Sequence, residues 1–289
     1  MTKDQLLTRL SSTAAAVLTR RRALLAGAAA VGAAGTAGVL AAVTGEKPVG
    51  PALPAAGPPA HRAVKSSAYR LQPLTGYGPP HATRRKTPAR HEPLLKVSGR
   101  GRTMVLTFDD GPDPRYTPHI LDTLAEYDVR AMFFVCGEMA VDNQDLLARM
   151  SDEGHVVGNH TWSHPLLTRL TRSRIRSEME RTCDVIEDAY GERPEWFRAP
   201  YGAWNRAAFQ LGAELGMEPL AWTVDTLDWT TPGTRRIVGA VEHGAAPGVV
   251  VLSHDAGGDR SQSVRALRDY LPQLIDSGYH LTVPRRQYV

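Results

Sequence analysis

Cysteine is nearly absent from this sequence of 289 residues, which has only Cys136 and Cys183. Two thiols cannot build a disulfide framework, and their spacing is not that of a zinc ribbon. They read as small buried apolar residues, with a single bridge the one pairing open to them. A nucleic-acid reader motif is also missing, as is any aromatic stacking pattern beside the basic residues. The formal net charge of +4 therefore does not point to DNA or RNA. Wholesale disorder is excluded by 42% hydrophobic and 22% charged residues, both ordinary for a folded chain. The length leaves one large core or two small ones open, at about 150 residues per domain.

What is present divides the chain into three. Residues 1–45 carry Thr19-Arg-Arg-Arg-Ala-Leu-Leu25 and then an Ala/Gly/Val/Leu run to Thr44. A basic patch before a weakly hydrophobic stretch has the layout of a twin-arginine-type export signal. Ala23 departs from the bulky apolar residue usual in that place. No Ala-x-Ala site stands out, so a cleaved signal and a retained membrane anchor both remain open; any membrane contact would run through this segment alone. Residues 46–100 read as a Pro-rich, basic, disordered linker. Pro48, Pro51, Pro54, Pro58 and Pro59 break any helix, and Arg84, Arg85, Lys86, Arg90, Lys96 and Arg100 follow. Such a stretch serves as a solvated tether or as a basic stalk on anionic wall polymer or membrane. The folded domain is expected over 101–289.

From residue 103 apolar runs alternate with helical patterns. Strands are expected at Met104–Phe108, Ala131–Val135, Val156-Val157, Trp196-Phe197, Leu220–Val224, Val249–Ser253 and His280–Val283. Helices are expected at Thr117–Tyr127, Gln144–Glu153, Ser173–Tyr190 and Val264–Ser277, the third ended by Gly191 with Ile175, Met179, Val185 and Ile186 facing inward. This alternation predicts an α/β fold with a mainly parallel sheet covered by helices, closed as a barrel or left as an open layer. In such folds function gathers where strands end.

Polar clusters follow those strands. Asp109-Asp110 places adjacent carboxylates before Gly111-Pro112, where a turn has use for only one. His160-Thr-Trp-Ser-His164 offers two imidazoles at i and i+4, which can share a face of a helical turn. With a carboxylate they form a two-histidine, one-carboxylate set that suits zinc or another divalent ion with open positions. Phe197-Arg-Ala-Pro-Tyr201, Asp225-Thr-Leu-Asp228-Trp229 and Leu252-Ser-His254-Asp255 come next. Each alone has a bland reading as an ion pair, a cap or a core histidine. Their succession at strand ends argues against coincidence.

On these residues, 104–286 closely resemble the polysaccharide deacetylase domain, also known as the NodB homology domain, of carbohydrate esterase family four. Thr107-Phe-Asp-Asp-Gly-Pro112, His160-Thr-Trp-Ser-His164, Arg198-Ala-Pro-Tyr201, Asp225-Thr-Leu-Asp228-Trp229 and Leu252-Ser-His254 look like its five ordered motifs. Ala199 departs where a second proline is common. The resemblance implies a distorted (β/α) barrel and metal-dependent removal of acetyl groups from an N-acetylglucosamine polysaccharide of peptidoglycan or chitin type. It assigns the metal to Asp110, His160 and His164, with zinc expected and cobalt, nickel or manganese also able to serve. Asp109 would be the general base and His254 the general acid. Asp228 would raise the His254 pKa, Arg198 would orient Asp109, and the Tyr201 backbone N–H would stabilise the oxyanion. Trp229 and Leu252 would wall the acetyl pocket. The expected partner is an acetylated polysaccharide, bound by a monomer. Two alternatives stand beside this: an O-acetyl esterase of acetylated xylan, and a catalytically silent glycan-binding module.

Overall fold

The computed structural model describes residues 87–97 and 101–284. The segment 1–45, expected as a signal or anchor, and most of the expected linker lie outside the described residues. Among those described, no helix is long and apolar enough to cross a membrane.

The first strand, β1 (Thr103–Asp109), is buried along its whole length, as a central parallel strand with both faces covered must be. The chain continues through α1 (Thr117–Glu126), β2 (Met132–Val135), α2 (Gly137–Asp142), α3 (Gln144–Asp152), β3 (Val156–Asn159), α4 (Arg172–Tyr190), β4 (Trp196–Phe197) and α5 (Arg206–Glu214). Then come β5 (Glu218–Pro219), β6 (Val224–Asp225), α6 (Thr234–Gly244), β7 (Val250–His254), α7 (Ser261–Asp276) and β8 (His280–Leu281). The strands form one curled sheet in the order β5-β4-β3-β2-β1-β7-β6, with β8 beside the start of β1. All these pairings are parallel. This is the distorted (β/α) barrel expected from the resemblance.

Strand alternation sorts the core into two layers. Met104, Leu106 and Phe108 face outward under the helices, packed with Ile120, Leu124, Leu267 and Leu271. Val105 faces inward with Met132, Phe134, Trp196, Leu220 and Val250. A third cluster seats α4 and α5 on β4 through Ile175, Met179, Cys183, Phe197, Ala208 and Leu211. Ala199 is fully buried in that cluster, so the small side chain standing in for a proline is part of the packing. Both cysteines are buried, and neither is in a disulfide.

The helix α4 shows how local chemistry sets an element. Thr171 caps its start by accepting from the Arg174 N–H, and Gly191 ends it at φ 94°, a left-handed conformation that glycine adopts without a Cβ penalty. Of the expected inward residues, Ile175, Met179 and Ile186 are buried and Val185 is partly buried against the core.

Three expectations change. The packed domain begins before residue 101. Leu94 and Val97 join the inner cluster, Leu94 donates to the Pro219 carbonyl at 2.9 Å and receives the Ala221 N–H at 2.8 Å, and Val97 donates to the Gly248 carbonyl at 3.0 Å. Of the single strand expected over Leu220–Val224 only Val224 lies in one, β6, while Leu220 follows β5 at the opposite end of the sheet path. The expected stretch is drawn off the ladder because the Arg198 guanidinium takes the Leu220 and Ala221 carbonyls, at 3.0 and 2.9 Å. Finally, α2, α5 and α6 were not expected; α2 has only six residues, and α5 and α6 carry an internal glycine, Gly212 and Gly239.

Candidate active site

The site forms at the ends of β1, β3, β4, β6 and β7. Parallel register sets its centre. Asp109 on β1 pairs with His254 on β7, so the expected base and the expected acid stand side by side. Among the described non-glycine residues with positive φ, all but Asp128 lie in loops that follow these strands: Asp110, Thr161, His164, Tyr201, Leu227 and Thr231. Left-handed backbone costs most residues about 1–2 kcal/mol, and it persists where surrounding structure over-determines it. Here it turns side chains into the rim.

Asp110 is the first such residue, at φ 77°. Its Oδ1 lies 3.2 Å from His164 Nε2 and 3.6 Å from His160 Nε2. Three ligand atoms about 2.1 Å from a tetrahedral ion are about 3.4 Å from one another, so these spacings fit a shared divalent metal. Asp110 Oδ1 is buried with no hydrogen bond of its own, despite two imidazole nitrogens close by. That is the arrangement expected of converging lone pairs. One donor atom from each of Asp110, His160 and His164 falls within 4.8 Å of the others. The Nδ1 of His160 meets the Arg198 carbonyl at 2.8 Å, which places the proton on Nδ1 and leaves Nε2 free to ligate. Burial, followed by the neighbouring His164, pushes the His160 pKa down to about 3, so this imidazole is neutral.

The histidine pair is not on a helical turn. Residues 160–164 form a loop, and left-handed backbone at Thr161 and His164 brings the rings to 4.9 Å between centroids.

Asp109 is buried beside this group, its Oδ2 lying 3.7 Å from His160 Nε2. Its Oδ1 receives the Arg198 guanidinium at 2.6 Å. Arg198 is fully buried, and it also donates to the Thr107 hydroxyl at 2.8 Å and lies over the Phe134 ring at 4.1 Å. The Asp109 pKa is raised, because burial outweighs the pull of Arg198 and His254. A carboxylate so placed keeps one oxygen pinned while the other faces the candidate ligands.

On the other side His254 Nδ1 donates to Asp228 Oδ1 at 2.7 Å, and the His254 backbone N–H donates to Asp228 Oδ2 at 2.9 Å. Burial works against an imidazolium there, but the Asp228 hydrogen bond and charge overcome it and raise the pKa to about 9. Asp228 itself is held low: burial opposes its charge, and the His254 and Ser263 hydrogen bonds prevail.

Exposed side chains complete the rim. Tyr201 is 64% exposed, with its ring edge-on to His164 at 4.5 Å. Trp229 is 43% exposed and Leu227 49%. Leu252 is buried on β7, with Asp225 as its neighbour in register on β6.

Several contributors carry no role in the sequence reading. Asp255 is buried, receives the Thr117 hydroxyl at 2.6 Å, and has its pKa raised to about 7, chiefly by burial. A Cβ on Gly111 would meet its Oδ2 at 2.2 Å, and one on Gly257 would meet Asp110 Oδ2 at 2.5 Å. The loops after β1 and β7 therefore interlock through two glycines. Ser263 donates to Asp228 Oδ2 at 2.6 Å, and buried Arg260 donates to the Asp228 carbonyl at 3.3 Å. Glu178 on α4 accepts the N–H groups of Trp162 and Ser163. An acid on the inward stripe of α4 was a legible signal for Glu178; nothing local marked Ser263 or Arg260.

The comparisons agree with the geometry. Residues 96–220 match the polysaccharide deacetylase family profile. A chitooligosaccharide deacetylase from Rhizobium leguminosarum bv. trifolii is 38% identical over 200 residues, covering 65% of this chain and 93% of its own length. A peptidoglycan-N-acetylglucosamine deacetylase from Bacillus cereus is 38% identical over 176 residues, covering 61% of this chain and 64% of its own. The crystal structure of the Bc1960 peptidoglycan N-acetylglucosamine deacetylase, in complex with 4-naphthalen-1-yl-N-oxidanyl-benzamide, superposes with a TM-score of 0.63 at 35% identity, covering 65% of this chain and 89% of that one. This chain belongs to the polysaccharide deacetylase family.

Proposed function

We propose that the protein hydrolyses the N-acetyl amide of N-acetylglucosamine units in a polysaccharide of peptidoglycan or chitin type, releasing acetate. The observation that carries this reading is the pairing of Asp109 with His254 on adjacent strands, beside the Asp110, His160 and His164 cluster. Relatives named as deacetylases of chitooligosaccharide and of peptidoglycan support the substrate class.

Asp110, His160 and His164 would hold the ion, and two nitrogens with one carboxylate oxygen favour zinc while admitting cobalt, nickel or manganese. A divalent ion there supplies Lewis acidity to the acetamide carbonyl and to a nearby water. Asp109, its Oδ1 fixed by Arg198, would take the proton from that water through Oδ2 as the water oxygen bonds to the acetamide carbonyl carbon. The Tyr201 backbone N–H donates to the oxygen that gains charge. As the C–N bond breaks, His254 gives its Nε2 proton to the sugar nitrogen while Nδ1–H stays on Asp228. The products are acetate and the free amine. Tyr201, Leu227 and Trp229 are three of the five large exposed hydrophobics among the described residues, and apolar rims of this kind suit the faces of sugar rings. The basic twin-arginine-type segment at residues 19–44 supports a site of action outside the cytoplasm.

The test is acetate release from chitin oligomers, peptidoglycan and acetylxylan in parallel, with zinc or cobalt supplied. Release from either of the first two is expected. Release confined to acetylxylan would reassign the protein as an O-acetyl esterase. Glycan binding with no hydrolysis of any of the three would make it a silent binding module.

A further inference from the structure

The loop between the two candidate histidine ligands is built around a carboxylate from another element. Between His160 and His164 the chain has no helix to set its course. Its N–H groups therefore have no intrahelical acceptors, and Glu178 is the partner of two of them. Its Oε2 accepts the Trp162 N–H at 3.1 Å and the Ser163 N–H at 2.8 Å, and both its oxygens lie 3.2 Å from the Ser163 hydroxyl. The residue is buried, 6% exposed, in the middle of α4. One turn further on, Arg181 stacks its guanidinium on the Trp162 ring at 3.7 Å. From below, Asn159 accepts the Thr161 N–H at 2.8 Å and donates to the Met179 carbonyl at 2.8 Å. Every residue between the two histidines is thus tied directly to α4, or to it through Asn159.

We propose that Glu178 is the positioning residue of the candidate metal centre, holding the loop at 161–163 so that His160 and His164 meet Asp110 at ligand spacing. The inference rests on the metal reading given under the proposed function, and it assigns Glu178 no contact with substrate or ion. An ionised carboxylate accepts two backbone N–H bonds from one side more strongly than a neutral group does. The loop carries left-handed residues at Thr161 and His164, which need such external support. A Gln here keeps the volume and, with its oxygen in the place of Oε2, an acceptor for both N–H groups, but it loses the charge and turns an NH2 group toward the Ser163 hydroxyl.

The test strips the full chain of metal with a chelator and titrates it with Zn²⁺ alone by calorimetry. The parent is compared with Glu178→Gln and Glu178→Ala. Supporting partners of metal ligands are typically worth about 10- to 100-fold in affinity. Glu178→Gln should weaken zinc binding by about tenfold, and Glu178→Ala by more. The d–d absorption of bound Co²⁺ should change in both, which loss of packing elsewhere would not cause. Glu180→Gln, on the same helix and paired with Arg176 at the surface, should match the parent. If Glu178→Ala does not fold, Glu178→Gln decides alone. A folded Glu178→Gln with parental zinc affinity and an unchanged cobalt spectrum would overturn the assignment while leaving the metal centre intact. A parent that binds no divalent ion would overturn the metal reading and this inference together.

Discussion

Within one rim, His160 rests its Nδ1 on the Arg198 backbone carbonyl, while His254 rests its Nδ1 on the Asp228 carboxylate. Both imidazoles are withdrawn from water, and burial disfavours the charged form of each. The outcomes are opposite. His160 is held down to about 3 and is neutral at any physiological pH, whereas His254 is held up to about 9 and carries its proton. The Arg198 carbonyl favours the charged form too weakly to offset burial and the neighbouring His164, but an ionised carboxylate at 2.7 Å more than offsets the desolvation. One half of the rim is thereby suited to giving a lone pair to a cation and the other to giving a proton to a leaving group. Asp109 sits between them with its two oxygens divided, Oδ1 on Arg198 and Oδ2 toward the candidate ligands.

That division can be broken at three points. The largest effect is expected for Asp109→Asn, which removes the base yet leaves both halves in place. Turnover should fall by about 10²- to 10⁴-fold, the usual contribution of general acid–base catalysis, with bound metal unchanged by elemental analysis. Loss of the metal along with activity would show that Asp109 belongs to the ligand half.

Next is Asp228→Asn, which should make His254 resemble His160. With its carboxylate gone and its burial kept, the His254 pKa should drop from about 9 to below the ordinary value of about 6.5. The alkaline limb of the kcat profile should move down with it, and kcat at pH 8 should fall on the order of a hundredfold. Zinc affinity should not change. The stability consequence has a definite sign. A histidine pKa raised by folding stabilises the folded state fully below about pH 6.5, and that contribution is lost as pH rises through about 9. The depressed Asp228 adds stability present above its unfolded value of about 3.9 and lost as pH falls further. The deficit of Asp228→Asn in denaturant melts should therefore be greatest between about pH 5 and 7 and shrink above 9. A deficit that grows with pH would contradict the pairing.

The smallest effect belongs to Ser263→Ala. It deletes one donor to Asp228 Oδ2 and leaves the His254 backbone N–H on the same oxygen. A hydrogen bond to a charged group is worth about 1.5–3 kcal/mol, so melts should show a loss at the low end of that range. Asp228 stays ionised and, with one competing donor gone, holds the His254 proton at least as firmly, so the alkaline limb should stay in place or move slightly up. A downward shift as large as that of Asp228→Asn would mean that Ser263 is needed to keep the Asp228 carboxylate on His254.

Both halves were legible to different depths. The ligand half is concentrated in two short stretches, Asp109-Asp110 and His160–His164, each after an apolar strand, so residue type and spacing were enough to nominate it. Its geometry was not legible. The i, i+4 spacing suggested a helical turn, whereas a loop with left-handed Thr161 and His164 does the converging, held by Glu178 from a helix that begins eight residues further on. The acid half is scattered over the loop after β6, the end of β7 and the start of α7. Its Asp228 and His254 stood out as polar residues after apolar runs, but only the family resemblance gave them roles, and Ser263 and Arg260 did not stand out at all. A serine and an arginine near a helix start read as ordinary capping and surface residues. The boundary of the domain failed for a similar reason, because Leu94 and Val97 sit in a Pro- and Arg-rich stretch whose composition hides a bridge between β5 and β7.

Alternating apolar runs and helical stripes by themselves determined a parallel α/β fold with its polar residues at strand ends, because a strand buried on both faces and a one-faced helix have few ways to cover each other. They also determined which side chains could ligate or transfer protons. Only the folded chain decided which imidazole is neutral and which is charged. That depends on whether a carbonyl or a carboxylate lies within 3 Å of Nδ1, and the groups concerned, Arg198 for His160 and Asp228 for His254, are 38 and 26 residues away along the chain.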